Sequence, residues 1–356
     1  MRVHVLAPGF TTSNGSAFLF PLLVHKNALR DASIDIRLVR RSARDLSDCD
    51  VLAIDSKEFR SEWADRRSET QELISSYRDT GTRIIWFDTS DSTGTLQAAV
   101  FSVVDKYLKS QLLNDKTRYT EHIYGGRVYS EFYNQTAGIT DDGTAVDEPV
   151  SREDTSKLGI SWNSGLADYS TYGPLKMGLY RRIGFSQLLR YPDATETTRS
   201  RRSNNLSARF GASYSKATVR YQREKIRELL SVRLDTHKLG RRGYIRELRQ
   251  SKIVLSPFGW GEITLKDFEV FLTGGMLLKP SMDHMQTWPN FYENGVTYLS
   301  HGWDLSDLEE RIEWAIDNAA DRLAIAERGQ RKYVEYTSGT DAAEKFVTHL
   351  ADVFST

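Results

Sequence analysis

Glu262, Lys266 and Glu269 are spaced i, i+4, i+7, so a helix through them carries two carboxylates and an ammonium on one stripe. Directly before them stands the turn Gly259-Trp260-Gly261. Free backbone N–H groups at such a turn, and the positive end of the helix that follows, suit a phosphate group. Lys238, Arg241, Arg242 and the arginines between 181 and 209 supply further cations. Arginine donates strong, often bidentate hydrogen bonds to phosphate. A second set of carboxylates, Asp55, Asp88 and Asp91, lies at or just after the ends of DVLAID (50–55) and RIIWFD (83–88). A carboxylate there acts as a general base when its surroundings raise its pKa. Asp91 and Asp88 are therefore the candidate catalytic residues, with His25 and His284 as competitors. Each has a plainer reading. The glutamates also fit a solvated helix face paired to Lys266, Asp91-Ser92-Thr93-Gly94 is good capping chemistry, His25 fits a packed helix face, and Trp260 and Trp288 fit loop anchors.

These residues need a scaffold that gathers strand ends. RVHVLA (2–7), IDIRLVR (34–40), DVLAID and RIIWFD read as strands, with helical segments at 16–31 and 61–79 between them. A polar loop is expected over 134–156, then a strand, KLGISWN (157–163). Residues 176–209 are basic, with Lys176, Arg181, Arg182, Arg190, Arg199, Arg201, Arg202 and Arg209 against Asp193 and Glu196. Periodicity resumes with ARFGASY (208–214), a helix near 216–230, VRLDTHKL (232–239) and a helix near 242–250. Strand, glycine turn, helix, glycine stop and strand then follow over 251–280, with the helix running from about Ile263 to Gly274-Gly275. GVTYL (295–299), a helix opened by the capping box Ser306-Asp307-Leu308-Glu309, and a last helix near 341–354 complete the chain. Alternating strands and helices imply parallel sheets that bind ligands at their C-terminal edges.

The chain has 356 residues, enough for two domains. Its 48 basic and 48 acidic residues cancel, which gives no general attraction to nucleic acid. The single Cys49 excludes an internal disulfide and a cysteine metal cluster, and no His-x-x-x-His or acidic metal loop is present. No apolar run approaches the roughly 18 residues of a membrane span. The start, MRVHVLAPGF, has no apolar signal core, so a cytoplasmic location is expected.

Ser256-Pro257-Phe258-Gly259-Trp260-Gly261-Glu262, Asp267-Phe268-Glu269, Gly274-Gly275, Leu277-Leu278-Lys279-Pro280, His284 and Thr287-Trp288-Pro289 together resemble the nucleotide-sugar-binding domain of GT-B glycosyltransferases. The likeness is to bacterial members with exostosin-like and CgeB-like patterns, and it covers about 208–310. It implies an α/β fold of two Rossmann-like domains facing a cleft. These would be an acceptor domain (1–175), a basic interdomain segment (176–207), a donor domain (208–340) and a C-terminal helix (341–356) returning to the first domain. It also implies a nucleotide-sugar donor, a glycan, lipid-linked or small-molecule acceptor, and no metal or other cofactor.

By this resemblance the turn and helix start face the pyrophosphate. Glu269 accepts from the ribose hydroxyls, Glu262 touches the donor sugar, and His284 contacts phosphate or sugar. Gly259, Trp260, Gly261, Lys266, Lys238 and Arg242 complete the donor-site set. Six residues separate Glu262 from Glu269 where retaining members have seven, so no stereochemical outcome is inferred. A nucleotide-sugar epimerase and a non-catalytic nucleotide or glycan binder are the other readings of the architecture. The basic stretch 176–209 reads as a solvated face, a phosphate contact or a peripheral contact with an acidic lipid surface.

Overall fold

The computed structural model describes residues 1–10, 12–63, 65–78, 81–143 and 148–355. Twelve strands are present among them: β1 (Arg2–Leu6), β2 (Asp35–Val39), β3 (Val51–Asp55), β4 (Arg83–Asp88), β5 (Lys106–Lys109), β6 (Gln111–Leu113), β7 (Leu158–Ile160), β8 (Asn204–Ser207), β9 (Ser251–Leu255), β10 (Met276–Pro280), β11 (Met285–Thr287) and β12 (Leu299–His301). The first sheet is wholly parallel in the order β2-β1-β3-β4-β5-β7. Its central strand β3 is buried along its whole length, as a run of apolar residues covered on both faces must be. The second sheet, β12-β10-β9-β8, is also parallel. Two Rossmann-like α/β domains thus face one another across a cleft, the GT-B arrangement.

In the first sheet β1 has β2 on one side and β3 on the other, so the strand order reverses between β1 and β3. The loops leaving these two strands diverge and open a crevice, the place where open α/β sheets take ligands. The helix Ser13–Val24 starts there, capped by the Thr12 hydroxyl accepting from Gly15 N.

A ladder that the sequence did not announce ties the domains together. β6, from the N-terminal half, pairs antiparallel with β11, from the C-terminal half, through Met285↔Leu113, Gln286↔Leu112 and Thr287↔Gln111. The main apolar core is likewise shared, running from Val3, Phe18 and Phe87 to Val254, Phe268 and Tyr333. The last helix, Ala342–Ser355, lies on the first sheet: Phe354 O accepts from Arg83, and Val353 O accepts from Lys106 Nζ at 3.0 Å.

Several expectations change. The first residues of the expected loop 134–156 end a helix, Val128–Ala137, whose Tyr133 hydroxyl donates to Trp303 O at 2.9 Å, so this piece of the N-terminal half packs on the C-terminal half. Buried Asp141 in the same stretch accepts from Thr218 N and Oγ1; residues 144–147 of that loop lie outside the described set. β8 falls inside the expected linker 176–207 and pairs with β9. ARFGASY stays outside the sheets, and side chains of the helix Ala217–Leu230 take up part of its backbone: Arg223 donates to Gly211 O and Arg227 to Phe210 O. GVTYL contributes only Leu299 to a strand. The box at Ser306 does not form; the helix starts at Leu308, and Ser306 donates instead to Asp304. The long helix Ala319–Tyr336 was not anticipated.

Candidate functional site

A cleft of about 460 Å³ runs between the two sheet edges. One wall comes from the N-terminal half: Thr12, Ser13 and Asn14 after β1, Lys57 and Arg60 after β3, and Asp88 to Asp91 after β4. The facing wall is the glycine turn, with Gly259, Trp260, Gly261, Ile263, Thr264 and Leu265. A second pocket of about 290 Å³ lies in the C-terminal half, among Phe210, Lys238, Tyr244, Lys266 and Glu269. Arg223 and Thr264 line both, so the two spaces meet there.

The glycine turn keeps its position at the sheet edge but changes its meaning. A Cβ on Gly261 would stand 1.6 Å from Asp91 O, so glycine is required there by the backbone of the opposite domain. Beside it, Glu262 is fully buried and lines neither pocket. Its carboxylate accepts from Thr93 N at 3.1 Å and Thr93 Oγ1 at 2.7 Å, with His284 Nε2 at 3.7 Å. Burial pushes its carboxyl up, but the His284 ring and the Thr93 hydroxyl more than offset this and hold it below the ordinary range. Glu262 and His284 therefore sit in the seam between the domains and not where a sugar would touch them. The helix begins at Leu265, so Glu262 precedes it and shares no helical stripe with Lys266 and Glu269.

The helix start is itself closed. Thr264 and Asp267 form a capping box, and buried Asp267 also accepts from Ser256 Oγ at 2.6 Å and Tyr292 Oη at 2.9 Å while pairing with Lys279 at 3.2 Å. A carboxylate already answers this helix's positive end. At the other end Gly274 takes φ 71° as the C-cap, as its position required.

One buried cation where the two pockets meet is a residue the sequence reading passed over. Arg223 is buried and donates to three carbonyls, Phe258 O at 2.6 Å, Gly211 O at 2.7 Å and Pro257 O at 3.4 Å. Its guanidinium lies over the rings of Tyr214 and Phe210 and has no carboxylate partner among the described residues. Burial lowers its pKa, the sign of a cation short of countercharge. A signal existed: Arg223 falls at helical spacing with Val219, Ile226 and Leu230 on the buried face of the helix Ala217–Leu230, which also holds Thr218 and Gln222, and a charge on such a face needs a reason.

In the second pocket Glu269 is nearly buried and ion-paired with Arg241, which also donates to Tyr169 O and Ser170 O. Arg242 is exposed and lines neither space; its neighbour Arg241 is the one engaged. Lys266 donates to Arg209 O, and burial, with Arg223 adding, lowers it to about 7. Lys238 is exposed at the rim beside Gly211. Of the arginines at 181–209 only Arg209 lines this pocket, and Glu247 and Asp235 neutralise it. Arg202 is spent on carbonyls at helix ends.

On the N-terminal wall, Asp88 is buried and fully engaged, by Lys109 Nζ at 2.7 Å, Tyr107 Oη at 2.8 Å and Ser90 N at 2.9 Å. Burial alone would raise its carboxyl, but Lys109 outweighs that and holds it below the usual range. It is the anchor of the loop that follows, not a free base. Asp91 is exposed to the cleft and accepts from Asn14 Nδ2 at 2.6 Å. Lys57, which the sequence reading missed, faces the same space, its pKa lowered by burial. His25 packs between Tyr191 and Phe346 away from the cleft, and burial lowers it to about 4. Among the described residues no group of three or more His, Cys, Asp or Glu side chains could hold a metal ion, and no helix is long and apolar enough to cross a membrane.

No protein-family model matches the chain, and no curated protein sequence matches it. Among solved structures it is similar to a glycosyltransferase from Rickettsia africae, at 7% identity and TM-score 0.47, covering 100% of this chain and 99% of that one. It is also similar to Anabaena HepE in complex with UDP-glucose, at 10% identity and TM-score 0.43, covering 99% and 100%. A third is WaaG, a glycosyltransferase involved in lipopolysaccharide biosynthesis, at 12% identity and TM-score 0.43, covering 99% of each chain. At these identities and scores the likeness carries no argument about chemistry.

Proposed function

We propose that the protein is a glycosyltransferase that moves a sugar from a nucleoside-diphosphate donor to an acceptor hydroxyl on a glycan, a lipid-linked carrier or a small molecule. One observation carries this reading: the carboxylate-free guanidinium of Arg223, buried where the second pocket opens into the cleft. A ligand with a neutral end in the pocket, an anionic middle at Arg223 and a reactive end in the cleft matches a nucleotide sugar. Glu269, held by Arg241, accepts from the ribose hydroxyls. Arg223 and Lys266, with Lys238 at the rim, take the charge of the diphosphate.

In the transfer the acceptor oxygen bonds to the anomeric carbon, and the bond from that carbon to the phosphate oxygen breaks. The acceptor proton passes to a carboxylate, and a nucleoside diphosphate leaves. Asp91 takes the base role, since it stands in the cleft on the wall opposite the turn; Asp88 holds its loop in place. Cationic side chains aimed at the developing diphosphate charge are each worth a few kcal/mol, about 10²-fold in rate. The reading includes no bound metal.

The test is a thermal-shift panel of nucleosides, nucleoside diphosphates and their sugars. Stabilisation by diphosphates but not by free sugars is expected, and a ligand at 100 times its Kd adds about 2.7 kcal/mol. No response to any nucleotide would overturn the proposal. Release of free nucleoside diphosphate only when an acceptor is present separates transfer from epimerisation on the same architecture.

A further inference from the structure

The helix Gly173–Ile183 packs one face partly against the core and leaves the other bare. Met177 and Tyr180 turn inward against Ala17, Phe20 and Tyr191. Outward stand Tyr172, Leu175, Leu179, Ile183 and Phe185, between 45% and 71% exposed. Leu175, Leu179 and Ile183 are spaced i, i+4, i+8 and so form one stripe. A run of exposed large apolar side chains on a folded surface marks a contact that the chain alone does not complete.

Charge says which contact. From Asp168 to Asp193 the chain holds four basic residues and no acidic one in between. Lys176 is held by buried Asp168 at 3.2 Å, whereas Arg181, Arg182 and Arg190 are exposed and form no ion pair among the described residues. An apolar stripe edged by Arg182, on a helix end whose other arginine, Arg181, is also free, is the pattern of a helix lying in the plane of an anionic bilayer. A second copy fits worse. A two-fold contact sets a patch against itself, and this one would bring its arginines together with no carboxylate to offset them.

We propose that the face of Gly173–Ile183 seats the protein on an anionic phospholipid surface, with Leu175, Leu179 and Ile183 entering the headgroup boundary and Arg181 and Arg182 meeting lipid phosphates. The membrane seating follows from this surface alone, whereas the acceptor class rests on the proposed glycosyl transfer. It also sets the orientation of the cleft. Tyr180 meets Phe10 edge-on at 5.9 Å, and the chain after Phe10 leads to Thr12–Asn14 on the cleft wall. The segment before the helix touches Arg241 of the second pocket through Tyr169 O and Ser170 O. The bilayer would thus lie beside the mouth of the acceptor wall, and the acceptor class that fits is a lipid-linked one.

The experiment is co-sedimentation of the full chain with phosphatidylcholine vesicles, with and without phosphatidylglycerol. Binding only to the phosphatidylglycerol vesicles, weakened by salt, is expected. Arg181→Gln/Arg182→Gln removes two positive charges, each worth about fivefold in partitioning, so the pair lowers binding about 25-fold. Leu175→Ser/Leu179→Ser/Ile183→Ser lowers it by on the order of tenfold or more. All five positions are exposed, so circular dichroism should be unchanged in both variants. Absence of binding, equal binding to both vesicle types, or variants that bind like the parent would overturn the proposal. A dimer in light scattering that the triple variant abolishes would assign the face to a second copy instead.

Discussion

Replacing Glu262 separates a seam residue from a sugar contact. The carboxylate is fully buried and accepts two bonds from Thr93, with His284 at 3.7 Å. Glu262→Ala leaves a buried N–H and a hydroxyl of Thr93 without an acceptor, and breaking a buried charged contact in this way costs about 3–5 kcal/mol. At about 2.1 cal/mol/K per residue, a chain of 356 residues unfolds with roughly 0.75 kcal/mol/K, so Tm falls by about 4–7 °C. Glu262→Gln keeps an acceptor for Thr93 and should lose less than half of that. Because the folded pKa is depressed, the stabilisation is present above the unfolded value of 4.5 and is lost as pH falls through the folded one. The wild-type and Ala proteins should therefore converge in acid. The assays are scanning calorimetry across pH, with donor affinity measured by titration well below Tm. Thr93→Val combined with Glu262→Ala should cost less than the sum of the two. An Ala variant with unchanged Tm but much weaker affinity for the nucleotide sugar than for the bare diphosphate would refute the seam role and restore a sugar contact.

Four further outcomes follow from the same geometry. Arg223→Met should weaken nucleoside diphosphates by about 10–100-fold and leave the nucleoside alone nearly unaffected; an equal loss for both in calorimetric titration would place the anion elsewhere. Lys266 is held at about 7, below its ordinary 10.5, so the unfolded chain carries the extra proton between those values and this group's contribution to stability rises with pH across that window. A diphosphate beside it favours the charged form, so binding near pH 8 should take up a proton, seen as a buffer-dependent binding enthalpy that Lys266→Met abolishes. Asp91→Asn should lower kcat about 10²-fold or more with Tm unchanged, while Asp88→Asn, which strands buried Lys109, should cost about 3–5 kcal/mol in stability first.

The strongest local signals match the structure, while the weaker capping box at Ser306 does not form. β1 to β4, the strand Ser251–Leu255, the helix stop at Gly274 and the strand after it all declare themselves by β-branched runs and a φ that only glycine takes easily. The gathering of Asp88 and Asp91 at the cleft also follows, because parallel strands put their C-terminal ends on one edge. Arg223 was legible in principle, as a charge at helical spacing with Val219, Ile226 and Leu230. The β6 and β11 ladder was not, since three-residue strands 172 or more positions apart leave no local period to detect.

By itself, then, the sequence determined two α/β halves, the sheet edge each presents, and a glycine turn facing the interdomain cleft. Tertiary structure decided what the turn is for. Three residues put Glu262 before the helix and not on it, and the opposing Asp91 backbone comes so close to Gly261 that no Cβ fits. Spacing along a chain fixes which side chains share a face only once the helix start is known, and nothing local reveals which remote backbone that face will meet. So the motif glutamate became a seam, the helix end was closed by its own Asp267, and the buried cation without a carboxylate is an arginine some forty residues earlier.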